Sequence, residues 1–187
     1  MKVQPRARAA ALAIALQLAF SAIALAPMRS VADESRPERY RSDFARFSVA
    51  FPGGSPVVRQ LEGTKFTMTG NDVNYAEILD GVEYSVEIHD VPRFAKIMLT
   101  DHYILDQSVK GKLEDIGARS LDVVETSIQD EPAREVVFEA LDRKFTGRMW
   151  LVLADRRLYL VGVLHPPSLD SQQVGARFFE SFSFWLE

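Results

Sequence analysis

Two continuous apolar runs stand out in the C-terminal third of the chain. Residues Met149 to Ala154 and Leu158 to Leu164 are apolar at almost every position, and a short charged turn containing Asp155-Arg156 separates them. Strands that are covered on both faces show such runs, whereas a half-exposed strand alternates between apolar and polar residues. The pattern predicts a β-hairpin at the centre of a sheet, with other elements packed on both of its sides.

Residues Val82 to Val91 show the alternating pattern instead. Apolar side chains at even positions alternate with polar side chains at odd positions. The apolar set is Val82, Tyr84, Val86 and Ile88, and the polar set is Glu83, Ser85, Glu87 and His89. Because successive side chains of a strand point to opposite faces, one face is expected in the core and the other in water. We therefore predict a strand at or near an edge of the sheet, with an exposed polar face.

The apolar period changes to a helical one between Phe94 and Gly117. The predicted stripe consists of Met98, Leu105, Val109, Leu113 and Ile116. A second helix is predicted over residues Ser168 to Ser181, where Ser168 can cap the first turn and Phe178 lies on the apolar side. Together with short connections that favour hairpins, these elements predict an α+β fold. We expect a mainly antiparallel sheet of about six to eight strands packed between helices, an α/β/α sandwich.

The first 32 residues have the order of a secretory signal. Residues 1–8 are basic without an acid, residues 9–26 carry no charge, and Ser30-Val31-Ala32 offers small residues at the cleavage positions. Cleavage after Ala32 is favoured over cleavage after Ala26, because the latter places Pro27 beside the cut. An uncleaved membrane anchor is the alternative, but the run is marginal in length and much of it is weakly apolar alanine.

We accordingly divide the chain into a signal peptide at residues 1–32, a flexible lead-in at 33–43 and a single α+β domain at 44–187. Loss of residues 1–32 removes four basic residues and no acid, so the net charge changes from −4 to −8. An acidic domain without a basic cluster excludes nucleic acid as a main partner. The chain has no cysteine, which excludes disulfides, thiol nucleophiles and zinc-thiolate sites.

These observations predict an exported protein, located in the periplasm or secreted. We expect no cofactor and no stable membrane insertion after cleavage of the signal. The partner is a protein or a small molecule whose identity the sequence does not give.

A metal site is one chemical interpretation of the polar strand face. Glu83, Glu87 and His89 share that face, and carboxylates with imidazole are ligands that divalent metals accept. The alternative is a solvated strand face, which we favour because nothing in the sequence supplies the closed geometry of a structural metal site.

A histidine base is the second chemical interpretation. His102 falls on the apolar side of the predicted main helix, and Asp106 follows one turn later, where it could orient the imidazole ring. A buried or boundary histidine bonded to a backbone carbonyl is the favoured alternative, because no nucleophile can be identified near it. His165 precedes Pro166-Pro167 at the end of a predicted strand, and a structural role is expected for it.

Three segments carry a resemblance to a known family. Residues 46–52 read RFSVAFP, residues 157–163 read RLYLVGV, and residues 177–182 read RFFESF. These segments resemble the PsbP-like family, a superfamily that also includes a nuclear Ran-release factor. The chain departs from the photosystem members at Gly53-Gly54-Ser55-Pro56, where they usually have a further aromatic residue. The resemblance implies an antiparallel sheet between helices and a non-enzymatic accessory or binding protein, with no site residues to transfer.

The sequence therefore predicts an exported, non-enzymatic accessory or binding protein of unknown ligand. Two alternatives remain open. One is a metal-dependent or histidine-based hydrolase that uses Glu83, Glu87 and His89, or His102 and Asp106. The other is a structural component of the cell envelope.

Overall fold

The computed structural model describes residues 38–61, 72–142 and 144–186. The strands are β1 (Tyr40–Ser42), β2 (Phe47–Val49), β3 (Val57–Gln60), β4 (Val73–Leu79), β5 (Val82–Asp90), β6 (Ala118–Ile128), β7 (Glu131–Ala140), β8 (Thr146–Ala154), β9 (Arg157–His165) and β10 (Ser183–Phe184). The helices are α1 (Arg93–Met98), α2 (Asp101–Asp115) and α3 (Ala176–Ser181). The predicted signal peptide lies outside the described residues. Part of the expected lead-in, Tyr40–Ser42, forms strand β1.

Within the described residues, the main sheet has seven strands in the order β3-β4-β5-β9-β8-β7-β6, and every neighbouring pair is antiparallel. The predicted hairpin, β8 and β9, lies at its centre, as the continuous apolar runs indicated. β5 was predicted at or near an edge; it is not an edge strand, because it pairs with both β4 and β9 and is the third strand counted from the edge strand β3. The prediction of a mainly antiparallel sheet of six to eight strands is confirmed.

Two hydrophobic cores lie on the two faces of the central hairpin. Alternate residues of β8 and β9 enter different cores: Leu151, Leu153, Leu158 and Leu160 belong to one, and Val152, Ala154, Tyr159 and Val161 belong to the other. All of these side chains are at most 3 % exposed. Burial on both faces is why the sequence of the hairpin shows no alternation.

Helices α1 and α2 cover one face of the main sheet. The predicted single helix is interrupted at Leu99, and Thr100 begins α2 by accepting a hydrogen bond from the Tyr103 backbone N–H at 3.2 Å. Met98 precedes this break and is 76 % exposed, whereas Leu105 is fully buried. Thr100 thus acts as an N-cap in the middle of the predicted apolar stripe, and two helices form instead of one. Within the described residues, no helix is long and apolar enough to cross a membrane.

The other face is covered mainly by a second, three-stranded sheet in the order β1-β2-β10, together with α3. This differs from the predicted α/β/α sandwich, in which a helix over Ser168 to Ser181 covers this face. The helix begins only at Ala176, because Gly175 has a φ of 77°, a left-handed conformation that cannot continue a right-handed helix. The position also requires glycine, since a Cβ there would lie 2.6 Å from a methyl group of Val163.

Aromatic side chains fill this second layer. Phe47 and Phe51 from the β2 region meet Phe178 and Phe182 from α3 and its end, and all four are at most 6 % exposed. Burial of each ring contributes on the order of 2–3 kcal/mol. The fold is therefore richer in strands than the sequence predicted, with helices on one face and a small aromatic sheet on the other.

Candidate functional site

The polar face of β5 is covered rather than exposed. Both carboxylate oxygens of Glu87 lie 2.6 Å from Nζ of Lys112 on α2, and the Glu87 side chain is only 12 % exposed. Burial raises the pKa of Glu87, but the contacts with His89 and Lys112 lower it by more, so its pKa lies below the ordinary value. Glu87 is therefore a buried carboxylate paired with a lysine.

His89 continues the same network toward β4. Its Nδ1 lies 3.0 Å from Oδ2 of the buried Asp72, and its Nε2 lies 3.6 Å from Oε2 of Glu87. Each of these contacts joins an imidazole nitrogen to a carboxylate oxygen. Within the described residues, no group of three or more His, Asp or Glu side chains is placed to hold a metal ion. Glu83 lies apart from His89, at a cavity of about 110 Å³ that Glu87 and Lys112 also line.

The second predicted pair, His102 and Asp106, meets at Arg134 rather than directly. Arg134 on β7 is 5 % exposed, its Nε lies 2.9 Å from Oδ1 of Asp106, and its Nη2 lies 3.1 Å from Nδ1 of His102. Glu125 on β6 approaches the same imidazole nitrogen at 3.2 Å. The sequence predicted a buried or boundary histidine bonded to a backbone carbonyl, whereas the His102 side chain is 57 % exposed and contacts the side chains of Arg134 and Glu125. The arrangement attaches α2 to β6 and β7 through a buried guanidinium group.

His165 forms the third histidine contact. Its Nδ1 lies 2.9 Å from the carbonyl oxygen of Pro166, so the ring donates there and its Nε2 can accept from Oγ of Ser171 at 3.0 Å. The imidazole is 2 % exposed, and neither of the two cavities described here reaches it. The contacts fasten the loop after β9 to the end of that strand.

The largest cavity described here lies at the end of the main sheet where the β8–β9 turn meets the second sheet. We name it the arginine cleft, and its volume is about 630 Å³. Its lining comes from five separate parts of the chain: Arg46, Asp90, Ala154 to Arg157, Tyr159, and Trp185 with Leu186. Ligand pockets usually have volumes of about 300–1,000 Å³. The cleft has a volume in this range, and its lining is mostly charged, with an apolar part at Trp185 and Leu186.

The β8–β9 turn forms one wall of the arginine cleft. Asp155 adopts a left-handed conformation with a φ of 53°, which aspartate tolerates better than most residues. The carbonyl oxygen of Arg156 accepts a hydrogen bond from the Val91 backbone N–H at 2.7 Å, which fixes the turn against the end of β5. Arg157 extends from the start of β9, where its Nε lies 3.7 Å from Oδ1 of Asp90.

The opposite wall belongs to the second sheet. Arg46 has a φ of 56°, and its carbonyl oxygen accepts a hydrogen bond from the Trp185 backbone N–H at 3.1 Å. The guanidinium of Arg41 lies over the Trp185 ring at 4.3 Å, in the range of a cation–π contact. Beneath, the buried Tyr159 hydroxyl donates to the carbonyl oxygen of Ala45 at 3.0 Å, and burial raises the pKa of Tyr159. Both walls are therefore fixed by backbone and ring contacts.

The sequence predicts only a short charged turn between β8 and β9, and it indicates no binding role for Arg46 or Trp185. These residues lie more than a hundred positions apart, and only the pairing of β10 with β2 brings them together. The available local signal was a pair of adjacent arginines, Arg156 and Arg157, on a turn beside the central strands. That signal alone does not distinguish a binding wall from a solvated turn.

Comparison with known proteins gives a result at the level of the fold. No protein-family model matches the chain, and no curated protein matches its sequence. The solution structure of the cyanobacterial PsbP protein CyanoP from Synechocystis sp. PCC 6803 is similar, with a TM-score of 0.56 and 10 % identity over 79 % of this chain and 92 % of that one. A protein of unknown function from Pseudomonas aeruginosa gives a TM-score of 0.42 and 10 % identity, over 76 % of this chain and 90 % of that one. The second similarity is too low to support a conclusion. The first shows that this chain has a PsbP-like fold.

Proposed function

We propose that this chain is an exported, non-enzymatic binding protein that takes its ligand in the arginine cleft. The observation that carries the proposal is the cleft itself, an open cavity of about 630 Å³ at the ends of the central strands. Its charged side chains come from turns and strand ends, whereas the sheet beneath them is fixed by two cores. Binding residues are commonly found on loops that a rigid scaffold positions.

The contacts of the histidines argue against histidine-based catalysis in the arginine cleft. The chain has three histidines, and each lies in a contact that connects structural elements: His89 with Asp72, His102 with Arg134, and His165 with Pro166. None of the three lines the arginine cleft. A general base must reach the substrate that it deprotonates, and a ligand in this cleft would not meet an imidazole.

The N-terminal pattern supports the exported location. Residues 1–32 have the basic, apolar and small-residue order of a signal peptide. The test is expression of the full chain in a bacterium, followed by cell fractionation and mass measurement of the recovered protein. We expect a periplasmic or secreted protein that begins at Asp33. A full-length protein retained in the cytoplasm would contradict the proposed location.

Binding in the cleft is tested by calorimetry with three probes of different charge: citrate, glucose and spermidine. We expect at least one probe to bind, and Trp185→Ala to abolish that binding. The matched control is Trp150→Phe, since Trp150 lies on β8 and packs against Phe179 outside the cleft. Binding that survives Trp185→Ala would show that the ligand site is elsewhere.

A hydrolase remains the second candidate, and one contact favours it. Oγ of Ser171 lies 3.0 Å from Nε2 of His165, a distance suited to activation of a serine nucleophile. The test is labelling of the purified protein with a fluorophosphonate probe, with Ser171→Ala as the control. Labelling that depends on Ser171 would establish a reactive serine, whereas we expect no labelling because the imidazole is buried.

A further inference from the structure

We infer that the arginine cleft binds a small organic anion, with a carboxylate or phosphate group among the arginines and a carbon skeleton against Trp185. The inference rests on the proposed binding function and narrows it to one class of ligand. It is argued from the charges, the backbone and the apolar wall of the cleft.

Among the described residues, those that line the cleft have an excess of positive charge. They include three arginines, Arg46, Arg156 and Arg157, and two aspartates, Asp90 and Asp155. The whole chain, in contrast, has a net charge of −4. A positive cavity on an acidic protein concentrates field lines and attracts small anions from solution.

Arg156 is the arginine best placed to meet a ligand. Its side chain is exposed at the tip of the β8–β9 turn, and it makes no ion pair or side-chain hydrogen bond with any residue in 38–61, 72–142 or 144–186. The carboxylate of Asp90, in contrast, lies 3.7 Å from Arg157 and balances that charge. A guanidinium offers two parallel N–H donors that match the oxygens of a carboxylate or a phosphate.

Arg46 is held at the opposite wall by an uncommon backbone conformation. Its φ of 56° lies in the left-handed region that L residues with long side chains rarely adopt. Outliers of this kind persist where the surrounding structure holds them, and they occur often at ligand sites. The hydrogen bond from the Trp185 backbone N–H to the Arg46 carbonyl oxygen supplies the restraint here.

Trp185 and Leu186 provide the apolar part of the cleft. The Trp185 ring is partly buried, and the Arg41 guanidinium packs on it at 4.3 Å. A ligand that lies against this ring would bring its carbon skeleton into contact with an apolar surface while its oxygens reach Arg156. The inferred ligand class is therefore an organic anion rather than an inorganic ion alone.

The test uses the fluorescence of Trp185 in protein purified after expression of the full chain. The chain has two tryptophans, so Trp150→Phe leaves Trp185 as the only reporter. Citrate, inorganic phosphate, glucose and spermidine are titrated separately. We expect a saturable change with citrate, a weaker response to phosphate, and no response to glucose or spermidine. The apparent Kd should rise with added sodium chloride, because salt screens charge contacts at exposed sites. Calorimetry of citrate binding to the wild-type protein gives the same comparison without the Trp150 substitution.

Arg156→Glu is the decisive variant, and Arg93→Glu is its matched control. Both residues are exposed and both substitutions change the net charge equally, but Arg93 lies on α1 outside the cleft. Loss of one charged hydrogen-bonding partner weakens binding by about tenfold or more. We therefore expect at least about a tenfold rise in the Kd for citrate with Arg156→Glu and little change with Arg93→Glu.

The outcomes separate the two proposals. Equal effects of Arg156→Glu and Arg93→Glu would overturn the inference, because binding would then follow the overall charge. A response to glucose or spermidine with none to either anion would overturn the anion class and leave the binding function standing. A response to phosphate that equals or exceeds that to citrate would remove the role of the apolar wall. If none of the four probes binds, both the inference and the proposed cleft function fail.

Discussion

Replacing Gly147 with alanine should weaken the centre of the main sheet. Gly147 lies on β8 opposite Phe138 on β7 and Leu164 on β9. A Cβ at this position would lie 2.5 Å from the carbonyl oxygen of Val163 and 2.7 Å from Cζ of Phe138. The Phe138 ring occupies the space that a side chain at residue 147 would need.

The magnitude follows from which atoms must move. The Val163 oxygen belongs to the backbone of β9, so it cannot shift without displacing a central strand. Overpacking of this kind costs about 1–3 kcal/mol. The smaller conformational entropy of alanine in the unfolded chain offsets about 0.4–1 kcal/mol of that cost. We therefore expect Gly147→Ala to lower the free energy of unfolding by about 1–2 kcal/mol.

Gly162 on β9 is the matched control. A Cβ there would lie 3.4 Å from Oγ of Ser85 and 3.8 Å from Cβ of Met149, which are ordinary contacts. Gly162→Ala should therefore leave stability unchanged or raise it by up to about 1 kcal/mol. The assay is urea unfolding followed by circular dichroism, and the two midpoints should differ clearly. Equal stability of the two variants would refute the packing of Phe138 over Gly147 and the central register of β8.

Two further predictions concern the second sheet and the buried ion pair. Phe47→Ala should lower the free energy of unfolding by about 3–5 kcal/mol, because Phe47 is fully buried, whereas Phe44→Ala should change it by less than about 0.5 kcal/mol, because Phe44 is 69 % exposed. Similar urea midpoints for the two variants would place the second sheet outside the core. The contribution of Glu87 to the free energy of unfolding should depend on pH, because the pKa of Glu87 is lowered in the folded state. This contribution is complete above the unfolded-state pKa of Glu87 and is lost as the pH falls through its folded-state pKa. The stability difference between wild type and Glu87→Gln, measured by urea unfolding across the acid range, should therefore shrink on acidification; a constant difference would contradict the pairing of Glu87 with Lys112.

The centre of the sheet could be predicted from the sequence, because strands that are buried on both faces have continuous apolar runs. Continuous apolar runs placed β8 and β9 in the middle of the sheet, and both strands have their alternate residues in two cores. The Asp80-Gly81 turn between β4 and β5 was also predictable, since both residues adopt positive φ angles that this pair favours.

The covering layers were predicted less well, for physical reasons that particular residues show. Glu87 and His89 look like a solvated strand face in sequence, but Glu87 pairs with Lys112 of α2, and His89 is buried against Asp72. Alternating apolar and polar residues indicate that the two faces of a strand have different environments. The pattern does not show whether the polar face contacts water or an ion-pair network. The aromatic residues near Phe178 suggested a long helix, whereas Gly175 limits it to six residues.

The arginine cleft could not be predicted, because its residues converge only through long-range pairing. Arg46 and Trp185 are joined by a backbone hydrogen bond, and neither lies in a local pattern that indicates a binding site. A histidine with a nearby acid, such as His102 and Asp106, attracts attention in sequence, yet Arg134 uses both of them to hold α2 on the sheet. The i, i+4 spacing of His102 and Asp106 suggested a catalytic pair, whereas in the fold both residues have a structural role.

The most direct test of the binding site is a map of amide chemical-shift changes in ¹⁵N-labelled protein titrated with citrate. We predict that the changes concentrate at the backbone amides of Arg46, Asp155 and Arg156 and at the backbone and indole N–H of Trp185. Changes that concentrate instead at Glu83, Glu87 and His89 beneath α2, or that are absent from the arginine cleft, would contradict the account.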